Sequence, residues 1–147
     1  MSGMFTVPPL DPMGSLILEA RADDDVADLV DARVRGGGPA PGDAKGPGEY
    51  QAFVVLSALD TPPHMTLPIT FSDYAINAYG TTHQNAWAVW SAVVKALHKV
   101  GPRVKANGLA LYQTIVASGG QQDTDPRTQQ PVVRGTLRVI ASTVALD

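Results

Sequence analysis

The apolar positions along the chain repeat with two different periods. Met13, Leu16, Ile17 and Ala20 recur at helical spacing, and Asp11-Pro12 just before them reads as a helix start. Asp23-Asp24-Asp25 interrupts this run and opens a second short helix carrying Val26, Leu29 and Val30. Acids at a helix start complement its dipole, so the triplet has a local explanation. The longest helical stripe is Ala86, Val89, Trp90, Val93, Val94 and Leu97. Thr81 and Gln84 stand at capping-box spacing before it, and Gly101-Pro102 follows as its stop.

Elsewhere strand formers dominate. Tyr50 to Leu59 reads as a buried strand, and Leu67 to Tyr79 as a second one with apolar Phe71, Tyr74, Ile76 and Ala78. The phase changes between Phe71 and Tyr74, which predicts a bulge near Ser72-Asp73. Leu109 to Ala117 is a third strand. Pro131 to Leu146 is a fourth, alternating Val133, Gly135, Leu137, Val139 and Ala141 against Arg134, Thr136, Arg138 and Ile140. The polar stretch Ser118 to Gln130 reads as their long hairpin connection. The order predicts an α+β fold. An antiparallel sheet of about four strands packs against one long helix, with a short N-terminal helical pair.

Residues 36–48 break the pattern. Gly36, Gly37, Gly38, Pro39, Pro41 and Lys45 sit in a segment made mostly of glycine and proline, with little to bury. It has neither Walker spacing nor a dinucleotide-binding glycine pattern, so it is no phosphate loop. It reads as an exposed loop or arm that contacts a neighbour.

Length and charge sharpen this picture. A chain of 147 residues suits one domain spanning 1–147, since two would each be too small to fold without disulfides or metals, and there is no cysteine. The net charge of −3 is unevenly spread. Residues 1–75 hold eleven acids and four bases, whereas residues 76–147 hold three acids and seven bases. Opposite ends of opposite sign favour stacking or ring formation by copies of the chain. No apolar run is long enough to span a membrane, and the first ten residues lack the pattern of a secretory signal.

Catalytic chemistry is not announced. His64, His83 and His98 lie apart, with no partner at ligand spacing. The run Asp23, Asp24, Asp25 and Asp28 lacks the glycine and terminal glutamate of a calcium loop. Ser118-Gly119-Gly120 is no nucleophile elbow. A carboxylate pair from Asp73 with Asp123 or Asp125 has no local support. The chain is therefore read as a non-enzyme with no cofactor, catalytic residue or metal ligand. Trp87, one helical turn from Trp90, has the character of an interface aromatic. Arg134 and Arg138, with Arg103, Lys105 and Arg127, offer basic surface without any base-reading motif.

Four stretches together resemble the tail terminators, or minor tail proteins of the neck, of long-tailed bacteriophages. They are Asp11-Pro12 with Leu16 to Val34; Tyr50 to Leu59; Ile76-Asn77-Ala78-Tyr79-Gly80-Thr81-Thr82 with the helix after it; and Gly119-Gly120, Pro126 and Pro131-Val132-Val133 before the last strand. The Gly-Pro segment departs from the shorter connection such proteins have. The resemblance implies a homo-oligomeric ring, a hexamer, that caps the tail tube, ends its polymerisation and joins the tail to the head connector. It implies the tail tube protein and a head-closure or connector protein as partners. DNA would pass through the lumen without sequence-specific contacts. The product would be made in the host cytoplasm and end in the virion, with no membrane role. The alternatives are a head-closure or head–tail joining subunit, or a small-molecule-binding α+β domain. Interface positions expected on this reading are Gly36, Gly37, Gly38, Pro39, Pro41, Lys45, Trp87, Arg134 and Arg138.

Overall fold

The computed structural model describes residues 12–38, 43, 50–60, 69–104 and 110–142. Helix α1 (Pro12–Ala22) begins with proline at its first position, where the missing N–H costs nothing. It buries Ser15, Leu16, Glu19 and Ala20, whereas Met13 and Ile17 of the expected stripe are only partly buried against the core. Asp23 caps α2 (Asp24–Val30), its Oδ1 accepting from the N–H groups of Asp25 and Val26.

The cap of the long helix α3 (His83–Leu97) lies one residue later than the Thr81–Gln84 box expected from the sequence. Thr82 Oγ1 accepts from Asn85 N–H, and Asn85 Oδ1 accepts from Thr81 N–H. Gly80 explains the offset. A Cβ there would lie 2.2 Å from the Ala86 nitrogen, so the chain turns into the helix with no room for a side chain. The helix also ends earlier than Gly101-Pro102, because His98 already has extended backbone.

The sheet is larger than the predicted one and it is mixed. Among the described residues six strands lie in the order β1-β2-β3-β6-β5-β4. They are β1 (Val34–Gly36), β2 (Phe53–Asp60), β3 (Ile69–Tyr79), β4 (Arg103–Val104), β5 (Ala110–Thr124) and β6 (Pro131–Ser142). The first pair is parallel and the other strand pairs are antiparallel. The two unforeseen strands have three and two residues, too few to show an alternation in sequence.

Two further expectations are corrected. The stretch read as a long hairpin connection is mostly strand: β5 runs on to Thr124, and only the short turn from Asp125 separates it from β6. Its glycines are absorbed at register shifts between Val116, Ser118 and Gln121. The bulge expected at Ser72-Asp73 lies instead on β2, between Ala58 and Asp60. Strand β3 keeps one phase, with Ser72, Tyr74, Ile76 and Ala78 buried, while Phe71 simply faces the other way.

One core lies between the helices and one sheet face. Leu16, Ala20, Val26 and Val30 meet Val54, Leu56, Ile76, Leu137 and Val139 there, beneath Val89, Trp90, Val93 and Leu97. Trp90 fixes the height of α3 above the sheet. A Cβ at Gly135 would lie 2.1 Å from the indole Cη2, and one at Gly120 would lie 2.8 Å from Nε1. The indole therefore occupies a hollow that exists because both strands carry glycine beneath it.

Trp90→Ala is expected to cost about 3–5 kcal/mol, and Gly135→Ala about 1–3 kcal/mol by overpacking. Denaturant midpoints of the two single variants check both values. An unchanged midpoint for Gly135→Ala would disprove the close seating of the indole.

Candidate functional site

The face of the sheet turned away from the helices carries a different chemistry. Cross-strand register places Ser57, Ala75, Thr136 and Ser118 in one row. Asp73 and Arg138 stand beside that row on one side, and Asn77 and Arg134 on the other. Arg138 Nε donates to Asp73 Oδ1 at 3.1 Å, and Arg134 pairs with Asp123 at 3.1 Å. Both arginines thus neutralise acids of their own sheet, in exposed pairs worth little to stability. Phe71, 51% exposed, lies opposite Ile140 at one end of this face.

Among the described residues the expected interface positions lie on different parts of the subunit. Arg134 and Arg138 lie on the outer sheet face. Trp87 is on α3, 37% exposed, and its Nε1–H donates to Gln122 Oε1 at 2.9 Å. Gly36, Gly37 and Gly38 follow at the β1 edge, where Gly37 takes a positive φ of 82° and donates to Leu56 O. Pro39, Pro41 and Lys45 lie outside the described residues, as do His64 and Lys105. The Gly-Pro segment is not wholly exposed, because Asp43 is buried and accepts from Arg35 Nε at 3.1 Å.

The sequence reading missed a long strand edge. Beyond Thr114, which exchanges backbone bonds with Lys99, no described strand lies outside β5. Val116 N–H is taken by His98 Nδ1. From Ala117 to Thr124 every residue except the half-buried Gly120 is exposed. Sequence gave no direct sign of this edge, since Ser118-Gly119-Gly120 has the composition of a turn.

The structure also separates the suspected carboxylates. Asp73 pairs across from Arg138 and Asp123 from Val132, six β6 positions away, about 20 Å at strand spacing. Asp125 belongs to the β5–β6 turn. Its Oδ1 accepts from the N–H groups of Arg127 and Thr128, and its Oδ2 from the Tyr79 hydroxyl. Gln130, fully buried, donates from Nε2 to Gln51 O and Gly80 O, and the Tyr50 hydroxyl donates to Thr128 O. Phe53 stacks on Tyr79 with ring centroids 4.3 Å apart. These contacts bind the turn to the ends of β2 and β3.

At the opposite end, Arg103 is also structural. It grips the buried Glu19 with two charge-assisted bonds of 2.6 and 2.7 Å and donates to Thr114 Oγ1. A shallow, open groove between α2 and α3 is lined by Asp25, Asp28, Leu29, Ala88, Ser91 and Lys95, with Lys95 bonded to Asp25. Among the described residues no group of three or more histidine or acidic side chains could hold a metal ion.

Asp125 gives a pH prediction. Burial pushes its carboxyl up, but the two backbone N–H groups and the Tyr79 hydroxyl outweigh burial and hold it below its ordinary value. A carboxylate lowered in the folded state stabilises fully above the unfolded value and loses that contribution as pH falls through the folded one. Asp125→Asn is expected to flatten the loss of stability between about pH 5 and pH 2. Urea midpoints of both proteins across that range check this; parallel curves would contradict it.

No protein-family model matches the chain, and the comparison with curated proteins finds no match. Among solved structures, the chain is similar to a component described as the virion of a native gene transfer agent particle. The TM-score is 0.66 at 18% identity, covering 86% of this chain and 91% of that one. The two chains share a fold along nearly their whole lengths.

Proposed function

We propose that this chain is a structural protein of a phage-like virion, and that it acts there without catalysis. The observation that carries this reading is the fold shared with a gene transfer agent virion component over 86% of this chain and 91% of that one. A ring-former needs complementary edges and faces rather than a convergent polar pocket. The exposed β5 edge and the polar part of the outer sheet face around Ser57, Ala75 and Thr136 are candidate surfaces of that kind.

Within the particle we assign it to the end of the tail. Copies form a ring, a hexamer, which caps the tail tube, ends its growth and presents a surface to the head connector. DNA passes through the lumen without sequence-specific contacts. Tyr79-Gly80-Thr81 supports this assignment: β3 stops at Tyr79, Gly80 makes the close turn onto Ala86, and α3 begins within four residues of the strand. That is the strand–turn–helix passage on which the tail-terminator resemblance rests.

Removing the chain from particle production tests the assignment. Tails are expected to grow past their normal length and to stay separate from filled heads, as seen by electron microscopy. Tails of normal length beside heads that leak DNA would overturn it in favour of a head-closure subunit. Normal joined particles would overturn the virion reading itself.

A further inference from the structure

We infer that neighbouring copies in the ring are joined by an exchanged strand: residues 1–7 of one copy add along the open β5 edge of the next. The inference rests on the ring reading and names the contact that closes it.

The β5 edge can receive a strand. From Ala117 to Thr124 no described strand lies outside it, and every residue but the half-buried Gly120 is exposed. Asp125 N–H donates across to Gln130 O, so the alternation of antiparallel pairs turns the backbone groups of Gln122 and Thr124 outward. Thr124 N–H is taken by Asp123 Oδ1 at 2.8 Å. Gln122 N–H, Gln122 O and Thr124 O are left for an incoming backbone. The stretch has no lysine, arginine or proline to deter one, and Asp123 is paired with Arg134 of its own sheet. Trp87, half-buried, stands beside the edge through its bond to Gln122.

The chain itself holds one segment suited to that edge. Residues 1–7 contain no proline, and Phe5, Thr6 and Val7 within them favour strand. Met4, Phe5 and Val7 also bring apolar side chains that can take the exposed part of Trp87 out of water. Of the other segments outside the described residues, those flanking Asp43 carry Pro39, Pro41 and Pro47, and 61–68 carries Pro62, Pro63 and Pro68. Each proline lacks the N–H that a ladder needs. The segments 105–109 and 143–147 are shorter. The β1 edge of another copy cannot serve instead, because Val34 O accepts from Arg21 Nη2 at 2.7 Å and Val34 N–H donates to Ala32 O.

Position agrees with this choice. Helix α1 begins over β1, where a Cβ at Gly36 would lie 3.2 Å from the Met13 side chain. Gly36 pairs with Leu56, Leu56 with Ile76, and Ile76 with Gly135. On β5 the place opposite Gly135 lies between Ser118 and Gln121, whose partners are Thr136 and Arg134. The start of α1 and the open stretch of β5 are therefore at one level, on opposite margins of the sheet. Copies rotated about an axis along the strands keep that level, so the α1 start of one faces the open β5 of the next. A strand added outside β5 lies five strand spacings from β1 of the same subunit, about 24 Å, whereas residues 8–11 reach at most about 14 Å. The segment thus serves a neighbour rather than its own sheet. The contact uses two different surfaces, as a closed ring of more than two copies requires.

Three variants test the joint in assembling particles. Gln122→Pro removes the outward N–H, a change that an edge strand tolerates. Gln122→Ala keeps that N–H and loses the side chain, and the third variant lacks residues 2–7. All three are expected to fold, with melting curves close to the parent's. Gln122→Ala enters particles normally, whereas Gln122→Pro and the shortened chain stay behind as soluble monomers. The occupant is read separately. Gln121→Cys, the single cysteine of that chain, carries a benzophenone maleimide that is irradiated in purified particles, and the linked peptides are identified by mass spectrometry. The expected result is dimers and higher species on a denaturing gel, linked through residues 1–7. Links between two β5 strands would overturn the inference in favour of a two-fold contact, and links to a different virion protein would overturn the choice of occupant. Normal entry of Gln122→Pro or of the shortened chain into a ring would overturn the exchange and leave the ring reading standing. Parent particles with no ring of this chain would overturn both.

Discussion

The fit of one indole into a gap left by two glycines sets the spacing of the whole subunit. Trp90 is the largest side chain on the inner stripe of α3, and Gly135 and Gly120 are the places on β6 and β5 where it can lie flat. A helix held at that height brings Val89, Val93 and Leu97 into the same layer as Leu137 and Val139. The second layer then has room for α1 and α2 beside α3 on the same sheet face. Packing at interior density leaves little slack for another arrangement. A methyl group at either glycine would lift the helix and open the layer.

Polar contacts complete what apolar packing begins, at opposite ends of the sheet. Glu19 reaches from α1 to Arg103 of β4, and Thr114 Oγ1 accepts from Arg103 while donating to Leu97 O at the end of α3. Four elements that share little sequence are held by one buried acid and one guanidinium. At the other end, Gln130, Asp125 and Tyr79 hold the β5–β6 turn against β2 and β3. With both ends fixed, the outer face and the strand edges keep a defined shape.

Much of this was legible in the chain. Leu16 and Ala20, the stripe through Trp90, and the alternation from Val133 to Ala141 each identify a buried face by spacing alone. What stayed hidden depends on pairing rather than pattern. Val34–Gly36 and Arg103–Val104 are strands because Val54 and Leu111 lie beside them, and their own residues carry no period. Ser118-Gly119-Gly120 has a turn's composition, yet Thr136 and Trp90 hold it as strand. Phe71 was misleading because an exposed aromatic looks like a core residue out of phase. The outer-face arginines were identified by charge, but Asp73 meets Arg138 only through the register of a strand distant in sequence, and Asp123 meets Arg134 only because the polar stretch before the turn is strand.

Strand β6 is the last described element of the chain and one of the two innermost strands of the sheet. As the chain is synthesised, β3 and β5 leave the ribosome before the strand that joins them exists. Until Pro131–Ser142 follows, neither can be fixed in the final sheet, and the hollow for Trp90 lacks Gly135. Pairings of such long sequence separation form late and slowly. The fold thus carries its own check on completeness. A chain truncated before β6 lacks both the strand that joins β3 to β5 and the glycine beneath Trp90, so it cannot complete the sheet or seat the long helix.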